Sequence, residues 1–121
     1  STGWDTGYAD TFSNTSGSHQ SSLGMMRAAE TYTGDFGYSA RLDGLEPGYN
    51  DRARSRFIVL HPWEGSRPSY VSSAGETAVT WGCPAIDPAV STDVVDFLAN
   101  GSLLFFHYDD GDWSRNSTYL P

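Results

Sequence analysis

Four apolar residues without a break, Phe57-Ile58-Val59-Leu60, run into His61 and stop at Pro62. Two of the four are β-branched, and a continuous run predicts a strand buried on both faces. Tyr38, Ala40 and Leu42 alternate with polar positions, the period of a half-buried strand. Leu103-Leu104-Phe105-Phe106 predicts a closing strand within 102–108, ended by Asp109-Asp110-Gly111-Asp112. Between these lies the clearest helix, Asp87 to Asn100. Val90, Val94, Val95 and Leu98 form one apolar stripe. Asp87 suits the cap position and Pro88 the first helical position, while Asn100-Gly101 is a stop.

The rest is irregular. Residues 1–24 are rich in Ser, Thr, Gly and Asn, with Trp4, Tyr8 and Phe12 at a spacing of four, and read as a loop with turns at 13–18. Residues 25–33 have no clean period. Glu46-Pro47-Gly48 signals a turn, and 51–56 reads as a loop or one helical turn. Residues 62–76 read as a loop punctuated by Pro62, Gly65, Pro68 and Gly75, Ala78 to Trp81 as extended, and Gly82-Cys83-Pro84 as a turn. The expected fold is mainly β with one or two helices, and residues 1–121 are expected to form a single domain.

Composition narrows the class. A chain of 121 residues with 38% apolar and 14% aromatic residues can bury a core without staples. Its apolar runs are too short for a membrane-spanning helix. Seven Arg and no Lys stand against fifteen Asp and Glu, a net charge of −8. That sign disfavours sequence-nonspecific binding to nucleic acid or to anionic lipid. One cysteine excludes an internal disulfide and any multi-cysteine zinc site.

That cysteine is also the first candidate for chemistry. A lone Cys is commonly a small buried hydrophobe. Cys83 instead sits at a Gly/Pro turn, Thr80-Trp81-Gly82-Cys83-Pro84. There, Gly82 permits close backbone approach and nearby N–H groups can face a developing oxyanion. A thiol needs a base or a cation beside it to become a thiolate near neutral pH. His61, at the end of the buried strand, is the candidate base; its plain alternative is a hydrogen-bonded strand-end histidine. His19 lies in a polar loop, and His107 shares a strand face with Leu103 and Phe105, fitting either core or edge. Asp109, Asp110 and Asp112 lack the Glu that a calcium loop requires and read as a solvated turn.

The stretch Thr80-Trp81-Gly82-Cys83-Pro84-Ala85-Ile86, with His61 upstream, resembles the catalytic domain of the murein L,D-transpeptidases. It is similar to the subfamily that reads Ser-Trp-Gly-Cys-Pro-Ala. Further stretches follow in the family's order: Phe12-Ser13-Asn14, Ser21 to Gly24, Glu30-Thr31-Tyr32, Arg41 to Glu46, Asn50 with Ala53, Arg56 to His61, and Gly101 to Phe106. The likeness runs from about Gly3 to Tyr108.

The resemblance implies an L,D-transpeptidase-like β-sandwich and a cysteine acyl-transferase acting on peptidoglycan stem peptides outside the cytoplasm. Cys83 would be the nucleophile, and His61 would relay protons, oriented by a backbone carbonyl around Pro62. Amides near Gly82 and Cys83 would form the oxyanion hole, with Thr80 beside it. Trp81 fits either a wall of the substrate groove, the favoured reading, or a filler of core space. An amine acceptor would give a 3→3 cross-link and water a carboxypeptidase. No metal or cofactor would be required.

The chain also departs from the pattern. Pro62 replaces the usual glycine after the histidine. Val79 stands where many relatives carry Arg just before the Ser or Thr. Relatives carry core strands before the position of Ser1, which implies a sheet lacking N-terminal strands, its edge covered by a second copy or another chain. These departures support a runner-up reading, a non-catalytic, transpeptidase-like structural or assembly module of the cell envelope; a third reading is a plain thiol hydrolase on another peptide.

Overall fold

A computed structural model describes residues 7–121. Trp4 and the first six positions of the expected N-terminal loop lie outside them. The architecture is mainly β: five strands form one sheet, and three short α-helices flank it. β1 is Gly24–Gly34, β2 Gly37–Gly44, β3 Val59–Pro62, β4 Ala85–Ile86 and β5 Leu103–Phe106; α1 is Pro68–Ala74, α2 Pro88–Leu98 and α3 Gly111–Asn116. The strand order is β4-β3-β2-β1-β5. β1 runs antiparallel to β2 and β5, β2 antiparallel to β3, and β3 parallel to β4.

The apolar run lies in the interior of the sheet, between β2 and β4. Ile58, Val59, Leu60 and His61 are all buried, as a continuous run in a central strand requires. Phe57 corrects the predicted start of that strand. Its φ of +57° turns the chain out of extended geometry, and its ring is exposed. The strand over Tyr38–Leu42 lies inside β2, and the closing strand is β5.

β1 is the largest element the pattern did not reveal. Its register with β2 shifts between Ala28 and Thr31. Such a bulge turns successive residues the same way; Ala28 and Ala29 are both buried, which erases the period of two. The loop expected at 62–76 contains a 3-10 turn at Glu64–Ser66 and then α1. The extended segment expected at 78–81 forms no strand; the extended pairing falls instead on β4.

α2 starts as expected. The Asp87 carboxylate accepts from the Ala89 N–H at 3.0 Å, and Pro88 opens the helix. Val95 packs against Ala40 and Leu60, flanked by Val94, Leu98 and Ile86. Fully burying a side chain of this size contributes roughly 1.5–3 kcal/mol. Val90 leaves the expected stripe: it is exposed, and Ser91 is buried in its turn of the helix. A second core holds Met26, Ala28, Leu42, Ala53 and Ile58, and Cys83 packs on its margin. Past β5, Asp110 caps α3 by accepting from the Asp112 and Trp113 N–H groups. Among the described residues no helix is long and apolar enough to cross a membrane.

Candidate active site

β3 and the segment that returns to it hold the two candidate reactive groups. His61 pairs with Ala85, its N–H donates to the Pro84 carbonyl at 3.2 Å, and the Trp63 N–H donates to Ile86 at 2.9 Å. This parallel register lays Cys83 alongside Val59. The Val59 N–H donates to the Cys83 sulfur at 3.4 Å, and the thiol donates to the Phe57 carbonyl at 3.3 Å. The left-handed turn at Phe57 therefore has a local correlate: the residue in that turn supplies the thiol's acceptor.

Cys83 and His61 line one cavity of about 420 Å³, with Arg56, Phe57, Thr80 and Trp81 among its walls. The His61 Nδ1 lies 2.7 Å from the Pro62 carbonyl oxygen. The Phe36 ring stacks on the imidazole at 4.5 Å, and Trp63 meets it edge-on at 6.0 Å. The ring is thus gripped on a face, on an edge and at one nitrogen.

The remaining predicted site residues take distinct places. Pro62 offers its carbonyl to His61 and also lines a neighbouring cavity of about 410 Å³ with Asp35, Tyr38 and Glu64. Thr80 lines the thiol cavity, and its hydroxyl donates to the Cys83 carbonyl at 2.8 Å, tying the turn together. Trp81 is exposed at the rim, stacked on His19 at 3.9 Å with the rings 8° from parallel. Gly82 is buried with φ +100°, and a Cβ there would lie 2.5 Å from the Gln20 carbonyl oxygen. Only glycine meets both demands.

Two residues of the site have no chemical role assigned from the sequence. Phe36 sits in the turn between β1 and β2, where its apolar ring is the sole hint. Arg56 is one of three arginines spaced by two, Arg52, Arg54 and Arg56. Its guanidinium is wrapped by the 13–22 loop. Nη1 donates to the Ser13 carbonyl and the Ser22 hydroxyl, both at 2.8 Å; Nη2 donates to the Gln20 carbonyl at 2.7 Å and the Ser18 hydroxyl at 3.0 Å.

Three influences meet at the thiol. Burial pushes Cys83 above the usual thiol range, while the Val59 N–H and the Arg56 charge pull it down. Among the described residues no group of His, Cys, Asp and Glu is arranged to hold a metal ion. The arrangement offers a thiol, an imidazole with one nitrogen already engaged, and a cation, which is the equipment of cysteine acyl transfer.

Searches of curated proteins and of solved structures returned no match. The family of the L,D-transpeptidase catalytic domain matches residues 1–107, which takes in β1 to β5, the thiol turn and the histidine strand. By that match, the chain belongs to the L,D-transpeptidase catalytic domain family.

Proposed function

We propose that this protein is a cysteine acyl-transferase of the bacterial wall, working outside the cytoplasm on peptidoglycan stem peptides. The observation that carries the reading is the single cavity lined by both the Cys83 thiol and the His61 imidazole. A carbonyl oxygen can only accept, so the neutral His61 ring carries its hydrogen on Nδ1, toward Pro62. Nε2 is then left with the lone pair that a base requires.

His61 takes the proton of Cys83, and the sulfur attacks the carbonyl joining the third and fourth stem residues. Amides near Gly82 and Cys83 hold the oxyanion of the tetrahedral adduct. The adduct collapses by breaking the C–N bond; His61 returns the proton to the departing D-Ala amine, and a thioester remains on Cys83. An amine of a second stem attacks the thioester, loses a proton to His61 and frees the thiol. Water in place of the amine gives hydrolysis. Trp81 walls the groove at its rim, and Thr80 keeps the Cys83 turn in shape.

Incubation with a tetrapeptide stem, followed by intact-mass analysis, tests the reading. The expected result is a thioester adduct on Cys83 with release of D-Ala, absent in Cys83→Ser. Serine can keep both the Val59 and the Phe57 hydrogen bonds, so Cys83→Ser retains the circular dichroism of the parent. Turnover that survives Cys83→Ser, or a parent that never forms an adduct with stem peptide or with a carbapenem, overturns it. The second of these outcomes favours a non-catalytic module.

A further inference from the structure

The thiol cavity differs electrostatically from the rest of the molecule. The chain carries a net charge of −8, yet among the described residues neither Asp nor Glu lines this cavity, and the one permanently charged wall among them is Arg56. All four Nη hydrogens of Arg56 go to neutral oxygens: two backbone carbonyls and two hydroxyls. No carboxylate pairs with it among the described residues. The contrast with Arg54 and Arg67 is direct, since each of those lies against carboxylates. The loop thus fixes the Arg56 guanidinium without neutralising it. It also leaves the two terminal nitrogens no hydrogen free to grasp a substrate carboxylate.

We infer that Arg56 is the fixed counter-charge of the Cys83 thiolate, acting through its field while the 13–22 loop occupies its hydrogen bonds. The groups facing the thiol bear this out. Arg56 comes from the turns before β3 and His61 from β3 itself. His19, from the 13–22 loop, lies behind Trp81. Arg56 is the only one of these whose charge does not depend on pH near neutrality. Its attraction opposes the burial that disfavours the ionised sulfur. Loop 13–22 therefore has a chemical purpose, which is to hold a bare positive charge beside the nucleophile. The inference rests on Cys83 being the nucleophile, but its test needs no wall substrate.

The test is the pH profile of Cys83 alkylation by iodoacetamide, followed by intact mass on the full chain. Arg56→Met removes the charge and keeps the length of the side chain. Its alkylation midpoint is expected to rise by about one pH unit or more, roughly a tenfold loss of thiolate near neutrality. Arg56→Lys should stay nearer the parent. Ser18→Asp provides a second route with Arg56 in place. The Ser18 hydroxyl accepts from both Arg56 and the Gln20 N–H, and an Asp carboxylate can accept from both while cancelling the charge. Its midpoint should rise as well.

A midpoint unchanged in Ser18→Asp, or in folded Arg56→Met, overturns the inference. A structural role for Arg56 would alter melting but would not set Arg56→Lys and Ser18→Asp apart in the profile. The two readings fail separately. A chain whose thiol titrates as expected here but never forms the thioester loses the acyl-transfer assignment and keeps the Arg56 pairing.

Discussion

The Nδ1 of His61 is 2.7 Å from the carbonyl oxygen of Pro62, the residue next in the chain. The anchor is backbone, so no substitution at residue 62 other than one that moves the chain can remove it. The neutral ring is expected in the Nδ1–H form, and two-dimensional ¹H–¹⁵N NMR of the imidazole checks this. A ring with its hydrogen on Nε2 would contradict the assignment of His61 as base. His61→Ala should slow acylation by about 10²–10⁴-fold, the usual contribution of a general base, with D-Ala release as the readout.

Glu46 should prove the most sensitive position distant from the site. Its buried carboxyl group accepts from the Met25 N–H at 2.6 Å, the Ser117 hydroxyl at 2.6 Å and the Trp113 indole N–H at 3.2 Å. It thereby fastens α3 to β1. Glu46→Ala strands three donors, each costing roughly 1–3 kcal/mol when unsatisfied. Denaturant unfolding should show a loss of about 3 kcal/mol or more. Glu46→Gln should lose less, since one acceptor oxygen remains. Equal stability of Glu46→Ala and the parent would sink this account.

The Arg54 guanidinium lies against Glu30 at 2.7 Å and Asp43 at 2.5 Å. Hydrogen bonding to Arg54 brings Glu30 down from 4.5 to about 2, and lowers Asp43 as well. A depressed carboxylate stabilises the fold fully above its unfolded value. That contribution fades as pH falls from about 4.5 toward 2. NMR titration of Glu30 should give a midpoint near 2, moving back toward 4.5 in Arg54→Ala. The trio is solvent-exposed, so moderate salt should shrink the shift.

Gly82→Ala places a methyl group 2.5 Å from the Gln20 carbonyl oxygen, at φ +100°. Such backbone strain costs on the order of 1–3 kcal/mol. The 13–22 loop should be displaced and melting should occur earlier. Because His19 of that loop stacks on Trp81, tryptophan fluorescence should change with it. Unaltered fluorescence and melting in Gly82→Ala would show that the loop does not rest on this turn.

What could be read from the sequence was local. β3 declared itself by four apolar neighbours, α2 by its cap and stripe, and the Cys83 turn by the glycine and proline around it. The missed elements lack such signals. α1 buries none of its residues, so it has no apolar stripe to detect. β4 is two residues long and exists only through its pairing with His61 and Pro62. β1 hides behind its bulge. Phe57 has strand chemistry but left-handed backbone, a choice tied to the thiol lying far along the chain. Arg56 is marked out only by the loop that wraps it, a contact spanning 43 positions from Ser13.

The path from Trp63 to Pro84 leaves β3 and returns to it, anchored at one end by the Trp63 N–H on Ile86 and at the other by the Pro84 carbonyl on His61. Both ends are clamped to the same ribbon, so the detour is closed in space whatever its length. Insertions or deletions within 66–77, a stretch closed by the Ala78 N–H on the Gly65 carbonyl, would re-cut the surroundings of the cavity and leave the Cys83 turn and β3 in place. The excursion is thus the part of the chain where length can change at least cost to the Cys83–β3 geometry.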